Sequence, residues 1–222
     1  METSYPLRHP FIQYLCPAPK RHLQYLIMKL GLRDGLDIGC GGGSPLTSLR
    51  SSGFRSTGID ISADAIKASR ARNTHDEYIV GDFRDFRFAR KFDVVILSHV
   101  IEHFTRDQGI DVIRRVESLS ERLVYIETPH GFIESGCEDL DHHPHQRHLS
   151  GWFPHDFEAR GYTILGSGPR WFNPAKRYSV LGGLAVRSIS RMVQWYYFYR
   201  PRRSAVIGAI RHVDERGIVR IL

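Results

Sequence analysis

The 222-residue chain predicts an α/β fold: a mostly parallel sheet of seven strands with helices on both faces. Three observations lead there. Short apolar strands alternate with helical stretches from residue 21 to residue 126, the rhythm of βαβ units. Phe92–Leu97 is apolar almost throughout, as a central parallel strand buried on both faces should be. The first strand, Gly35–Ile38, runs straight into a cluster of glycines.

Residues 5–20 are rich in proline and aromatics and read as an irregular arm. Leu23, Leu26, Ile27 and Leu30 then recur at helical spacing, with Gly31 as the stop. After the glycine cluster, Thr47–Ser52 predicts a short helix capped by Gly53, and Thr57–Ile61 a second strand. Ser62 suits the N-cap of a helix running to Asn73. Tyr78–Val80 and Phe92–Leu97 are strands three and four. A helix over about 107–119 and a strand at Arg122–Ile126 follow. Beyond residue 130 comes a histidine-rich loop, then a helix at Pro154–Arg160 and a sixth strand at Tyr162–Leu165. Ala205–Arg211 suits a seventh, leaving an insertion between the last two strands. The expected organisation is an N-terminal arm and helix over 1–31, a core over 32–166, and a basic aromatic insertion with a closing strand over 167–222.

Composition narrows the class. Hydrophobic residues at 41% and charged residues at 25% are ordinary for a folded globular chain. Three cysteines without paired spacing argue for a reducing compartment, and no stretch reads as a signal peptide or a spanning helix. Cytoplasmic residence is the expectation, with peripheral attachment to a membrane as an option. The net charge of +7 is uneven: residues 170–222 hold eleven Arg and Lys against two acids. Such a tail suits an anionic partner, or simply a solvated face.

The strongest local signal is Leu36-Asp37-Ile38-Gly39-Cys40-Gly41-Gly42-Gly43. Residues without Cβ let the chain turn sharply and approach a ligand closely, although a plain tight turn also uses them. Asp37, two residues before the first glycine, suits a cationic ligand better than a pyrophosphate. Asp60 ends the second strand, where an acid can accept from both hydroxyls of a ribose, and Ile61 follows it. Asp82 and Phe83 follow the third strand, a carboxylate for an adenine amino group beside an aromatic residue. All three acids fall at the carboxyl ends of successive strands, the edge where ligands bind in open α/β sheets.

These residues resemble the class I S-adenosylmethionine-dependent methyltransferases, a Rossmann-like family, over residues 32 to about 166. The matching pieces are Leu36–Gly43, Gly58-Ile59-Asp60, Gly81-Asp82-Phe83, Phe92-Asp93-Val94-Val95 and Val100-Ile101-Glu102-His103. The resemblance implies S-adenosylmethionine as cofactor. Asp37, Gly39, Cys40 and Gly41 would then lie at its methionine part, Asp60 and Ile61 at the ribose, Asp82 and Phe83 at the adenine, and Ser98 on the floor. For a hydroxyl acceptor the site needs a base, and His99, His103 and His148 are the candidates, with His130 also near.

His99, Glu102 and His103 stand at i, i+3 and i+4, and His148 follows later. The set resembles the divalent-metal site of small-RNA 2′-O-methyltransferases and ubiquinone-biosynthesis O-methyltransferases. His99 replaces that site's first glutamate, which disfavours magnesium, so no metal is assigned. The expected function is O-methylation of a small-molecule, sugar or lipid-linked acceptor. The alternatives are RNA 2′-O-methylation with a divalent metal, and a non-catalytic cofactor-binding regulator. Residues 177–203 interleave apolar residues, aromatics and arginines, which predicts a mostly helical cover over the substrate opening with its arginines turned outward. Its partner would be an anionic membrane surface or, less favoured, a nucleic acid.

Overall fold

In a computed structural model, residues 17–135, 144–169 and 193–213 are described. Seven strands form one sheet in the order β3-β2-β1-β4-β5-β7-β6. They are β1 (Asp34–Ile38), β2 (Arg55–Asp60), β3 (Glu77–Val80), β4 (Phe92–Ser98), β5 (Ser120–Pro129), β6 (Thr163–Pro169) and β7 (Ser204–His212). β1 pairs in parallel with β2 and β4, β2 with β3, and β4 with β5. β7 runs antiparallel to both β5 and β6, so it is the one reversed strand. The strand order switches direction at β1/β4, and a crevice opens there at the carboxyl ends.

The helices are α1 (Pro19–Lys29), α2 (Ala63–Ala71), α3 (Arg106–Leu119) and α4 (Pro154–Glu158). Proline in the first turn starts α1, which buries Leu23, Leu26 and Ile27. Ser62 caps α2 by accepting from the amide of Ala65. Thr105 and Gln108 form a reciprocal capping box on α3. Two apolar clusters result, one on each face of the sheet. One gathers Ile38, Val95, Ile113, Val124, Trp152 and Phe157; the other gathers Leu23, Ile27, Val94, Ile96, Tyr125 and Phe198. Alternate residues of β4 divide between the two, which is why its sequence is apolar without a break.

Most expected elements appear within two residues of their anticipated ends. β5 is the main departure, running from Ser120 to Pro129 because β7 pairs with it from Leu123 to Pro129. The expected boundary at residue 166 falls inside β6, which continues to Pro169. Residues 170–192 lie outside the described residues, and with them most of the expected 177–203 cover. Its described part is helical at 193–198 and packs on β6, where Gln194 donates to the Gly166 carbonyl at 3.2 Å and accepts from the Gly168 amide at 2.9 Å. Among the described residues, none from this segment lines the cleft.

Candidate active site

Two adjoining cavities of about 460 and 480 Å³ open along the carboxyl ends of β1, β2, β3 and β4. They share Gly39, Gly41 and His99. The larger family of walls in the first comes from Asp60, Ile61, Phe83, His103, Phe104 and Leu149. The second is lined by Lys20, Asp37, Cys40, Ser44, Ser98 and neighbouring glycines. The loop between them turns on Gly39 and Gly41, at φ of +66° and +52°. A Cβ on Gly41 would meet nothing within 4 Å, so the loop presents bare backbone to open space.

Asp60 holds that loop. One carboxylate oxygen accepts from the Gly41 amide and the other from the Ser62 amide, both at 2.9 Å. Its remaining lone pairs face the cavity it lines. Asp37 is buried, and burial raises its carboxyl to about 7 against the opposing effects of Ser44 and Lys20. Its Oδ2 has no hydrogen-bond partner among the described residues. Asp37 is on the wall of the second cavity, where its carboxylate suits an ammonium. Together with the bare glycine loop, that fits the methionine end of S-adenosylmethionine here and its nucleoside end in the first cavity.

The structure gives several expected site residues partners of their own. His99 lies between two acids: its Nε2 is 3.0 Å from Glu127 and its Nδ1 3.3 Å from Glu102. Burial opposes its charge, but the two carboxylates prevail and raise it to about 9. That shift favours the imidazolium at neutral pH, with Nε2 hydrogen-bonded to Glu127 and Nδ1 within ion-pair reach of Glu102. Asp82 lines the first cavity but is already paired with Arg84 through its backbone amide and guanidinium, which holds its carboxyl low. The Phe83 ring is largely buried behind the cavity wall, and the half-buried Phe104 ring shares that wall, 6.5 Å away between centroids. Cys40 contributes backbone only, since its thiol is buried and pushed up to about 12. Ser98 lines the second cavity and Ile61 the first, as their positions after β4 and β2 require.

His103 and His148 come together, with ring centroids 4.9 Å apart. The Nδ1 of His103 faces the Arg147 carbonyl at 3.1 Å, and that of His148 the Ile133 carbonyl at 2.6 Å. A carbonyl accepts only from N–H, so each Nδ1 carries a proton, and a neutral His103 ring keeps its lone pair on Nε2. Burial holds His103 below the usual histidine value, which keeps it neutral. Ligand atoms of Glu102, His103 and His148 lie within 4.8 Å of one another, a set able to hold a divalent ion. His130 stands aside, its Nδ1 on the Ser204 carbonyl.

The structure adds residues the sequence did not single out. Glu127, at the end of β5, receives His99 and Lys20 on one oxygen, the latter at 3.0 Å, and the Tyr125 hydroxyl on the other. An acid closing a strand was a visible signal for Glu127. Lys20 had none, since only packing brings α1 to this edge.

This sheet order and glycine-loop cleft define the class I methyltransferase fold. Residues 36–118 match the family model described as a methyltransferase domain. Over that span, a little more than a third of its length, the chain is similar to S-adenosylmethionine-dependent methyltransferases. It is 32% identical over 88 residues to a ubiquinone biosynthesis O-methyltransferase of Rickettsia bellii, covering 37% of each chain. It is 24% identical over 182 residues to a malonyl-[acyl-carrier protein] O-methyltransferase of Pectobacterium atrosepticum, covering 70% of this chain and 72% of that one. The fold is shared with the magnesium protoporphyrin IX methyltransferase of Synechocystis with bound S-adenosylmethionine. That likeness has a TM-score of 0.51 at 16% identity, over 86% of this chain and 77% of the other. The chain thus spans little more than a third of the length of the Rickettsia relative.

Proposed function

We propose that the chain transfers a methyl group from S-adenosylmethionine to a hydroxyl of a small-molecule, sugar or lipid-linked acceptor, with His103 as the general base. The observation that carries this is the neutral His103 ring on the wall of the cofactor cleft, its Nδ1 committed and its Nε2 lone pair available. S-adenosylmethionine, when bound, supplies a methyl group already activated on a sulfonium. The protein's work is then positioning and one proton transfer. Asp60 and the Gly39–Gly41 turn hold the nucleoside and methionine ends, while Asp37 and Lys20 face the amino-acid part. The imidazolium of His99, fixed between Glu102 and Glu127, sets a rigid floor between the two cavities. His103 takes the acceptor proton, and His148 beside it keeps the ring in place. The relatives named for O-methylation support an oxygen acceptor.

His103→Gln should lower kcat at least a hundredfold and leave cofactor affinity unchanged, as calorimetry and adenosylhomocysteine release would read. An unchanged rate would remove His103 from the chemistry. One observation favours a second reading, the Glu102–His103–His148 cluster. There Glu102, His103 and His148 would hold a divalent ion, which would supply Lewis-acid polarisation of an RNA 2′-hydroxyl. Activity on short RNA, abolished by a chelator and restored by manganese, would select it. Chelator-resistant turnover of a small acceptor would select the first.

A further inference from the structure

Ten large apolar side chains are exposed among the described residues, and six of them gather in one region. Among the described residues, Phe132 and Ile133 follow the carboxyl end of β5, and Phe153 stands on the loop entering α4. Trp195, Tyr196 and Tyr199 lie on the segment entering β7. Because β7 is antiparallel, its first residues pair with the last of β5 and β6: Val206 with Pro129, and Ser204 with Pro169. All six side chains therefore stand on the edge of the sheet where the cofactor cleft opens. Scattered single apolar residues on a surface need no explanation, but a concentration on one edge does.

The aromatic part of this rim is held in place from beneath. Gln194 and Phe198 are buried, one bonded to the backbone of β6 and the other packed with Leu23 and Leu26. That spacing of four leaves Trp195, Tyr196 and Tyr199 outside, Tyr199 at 63% exposure. Arginines interleave with the rings. Arg200 and Arg203 stand 5.5 and 6.0 Å over Tyr196, and Arg202 reaches Glu158 of α4 at 3.2 Å. The patch continues to Phe153 through His130, whose ring meets Phe153 at 5.8 Å and whose Nδ1 lies 3.0 Å from the Ser204 carbonyl.

We infer that this rim docks on an anionic phospholipid bilayer, so that the cleft opens toward the membrane. Indole, phenol and guanidinium groups partition at the headgroup level, and Arg200, Arg202 and Arg203, interleaved with the rings, complement acidic lipid. Such docking would bring a lipid-linked or membrane-dissolved acceptor to the opening. The inference rests on the proposed methyl transfer only for what enters the cleft; the docking itself stands apart from catalysis.

The test is flotation of the full chain with phosphatidylcholine vesicles, with and without about a third phosphatidylglycerol, at low and high salt. Expected are binding at least tenfold stronger to the acidic vesicles, weakening with salt, and a blue shift of indole emission that Trp195→Phe removes. Arg200→Gln/Arg202→Gln/Arg203→Gln should lose at least tenfold in vesicle affinity while binding S-adenosylmethionine as the wild type does, which reports an intact fold. Equal recovery with both vesicle types, or undiminished binding by the triple variant, would overturn the inference. So would dimerisation through Trp195 and Tyr199 that shields them from lipid, or a steep salt-dependent preference for short RNA over vesicles. If the wild type floats but releases no adenosylhomocysteine, the catalytic reading fails and the docking stands.

Discussion

Asp37 and His75 are both buried, and their Oδ2 and Nε2 face each other at 3.6 Å without a full hydrogen bond. Gly58, paired with Asp37 across β1 and β2, makes the approach possible, because a Cβ there would lie 2.5 Å from the imidazole. Burial lowers His75 to about 4 and raises Asp37 to about 7, so both are neutral over much of the acid range. The folded Asp37 binds its proton more tightly than the unfolded chain, so stability falls as pH rises from about 4 toward 7. Asp37→Asn should remove that loss. Its stability gain over the wild type, without cofactor, should be about 2–3 kcal/mol larger at pH 8 than at pH 5 in urea unfolding. The same variant should bind S-adenosylmethionine more weakly, having no charge for the ammonium. Equal gains at both pH values would show that Asp37 does not hold the proton. Neither His75 nor its contact with Asp37 was legible beforehand: 38 positions apart in the chain, the two meet only because β2 lies beside β1.

The element-scale features that build the cleft were more legible. Helix α3 starts with its capping box at Thr105 and Gln108, and Gln108 also lines the first cavity. Thr105→Ala frees the Gln108 amide and should cost about 1 kcal/mol, read as a lower urea midpoint with an unchanged slope. An unaltered midpoint would mean that packing alone holds this end. The glycine loop shows why local pattern sufficed there. A Cβ on Gly39 would stand 2.4 Å from Val100, and the residue's φ of +66° already excludes most side chains. Backbone demands of this kind leave a mark at the position itself. The Arg84 partner of Asp82, two residues away, left no such mark. The second acid beside His99, Glu127, was not legible because it arrives from another strand.

Across the whole molecule, folding and cofactor binding are linked, because the cleft exists only once four strands and α1 have assembled. S-adenosylmethionine at about a hundredfold over its Kd should raise stability by about 2.7 kcal/mol. Asp60→Ala, which removes the ribose acceptor and releases the Gly41 amide, should weaken binding more than about tenfold and reduce that gain by about 1.4 kcal/mol. Thermal shift at fixed ligand concentration reads both, and an unchanged shift in the variant would refute the ribose assignment. The sequence by itself determined the alternation of strands and helices, the caps, the glycine loop and the acids at the strand ends. Each of these depends on a residue's own conformational freedom or on neighbours within one turn or strand. Only the tertiary structure decided that β7 enters reversed between β5 and β6, that Lys20 and Glu127 meet at the cleft, and that His99 is a clamped cation while His103 is neutral. Burial and charge pairing set those outcomes, and both arise from groups far apart in the chain that come together only when the sheet closes.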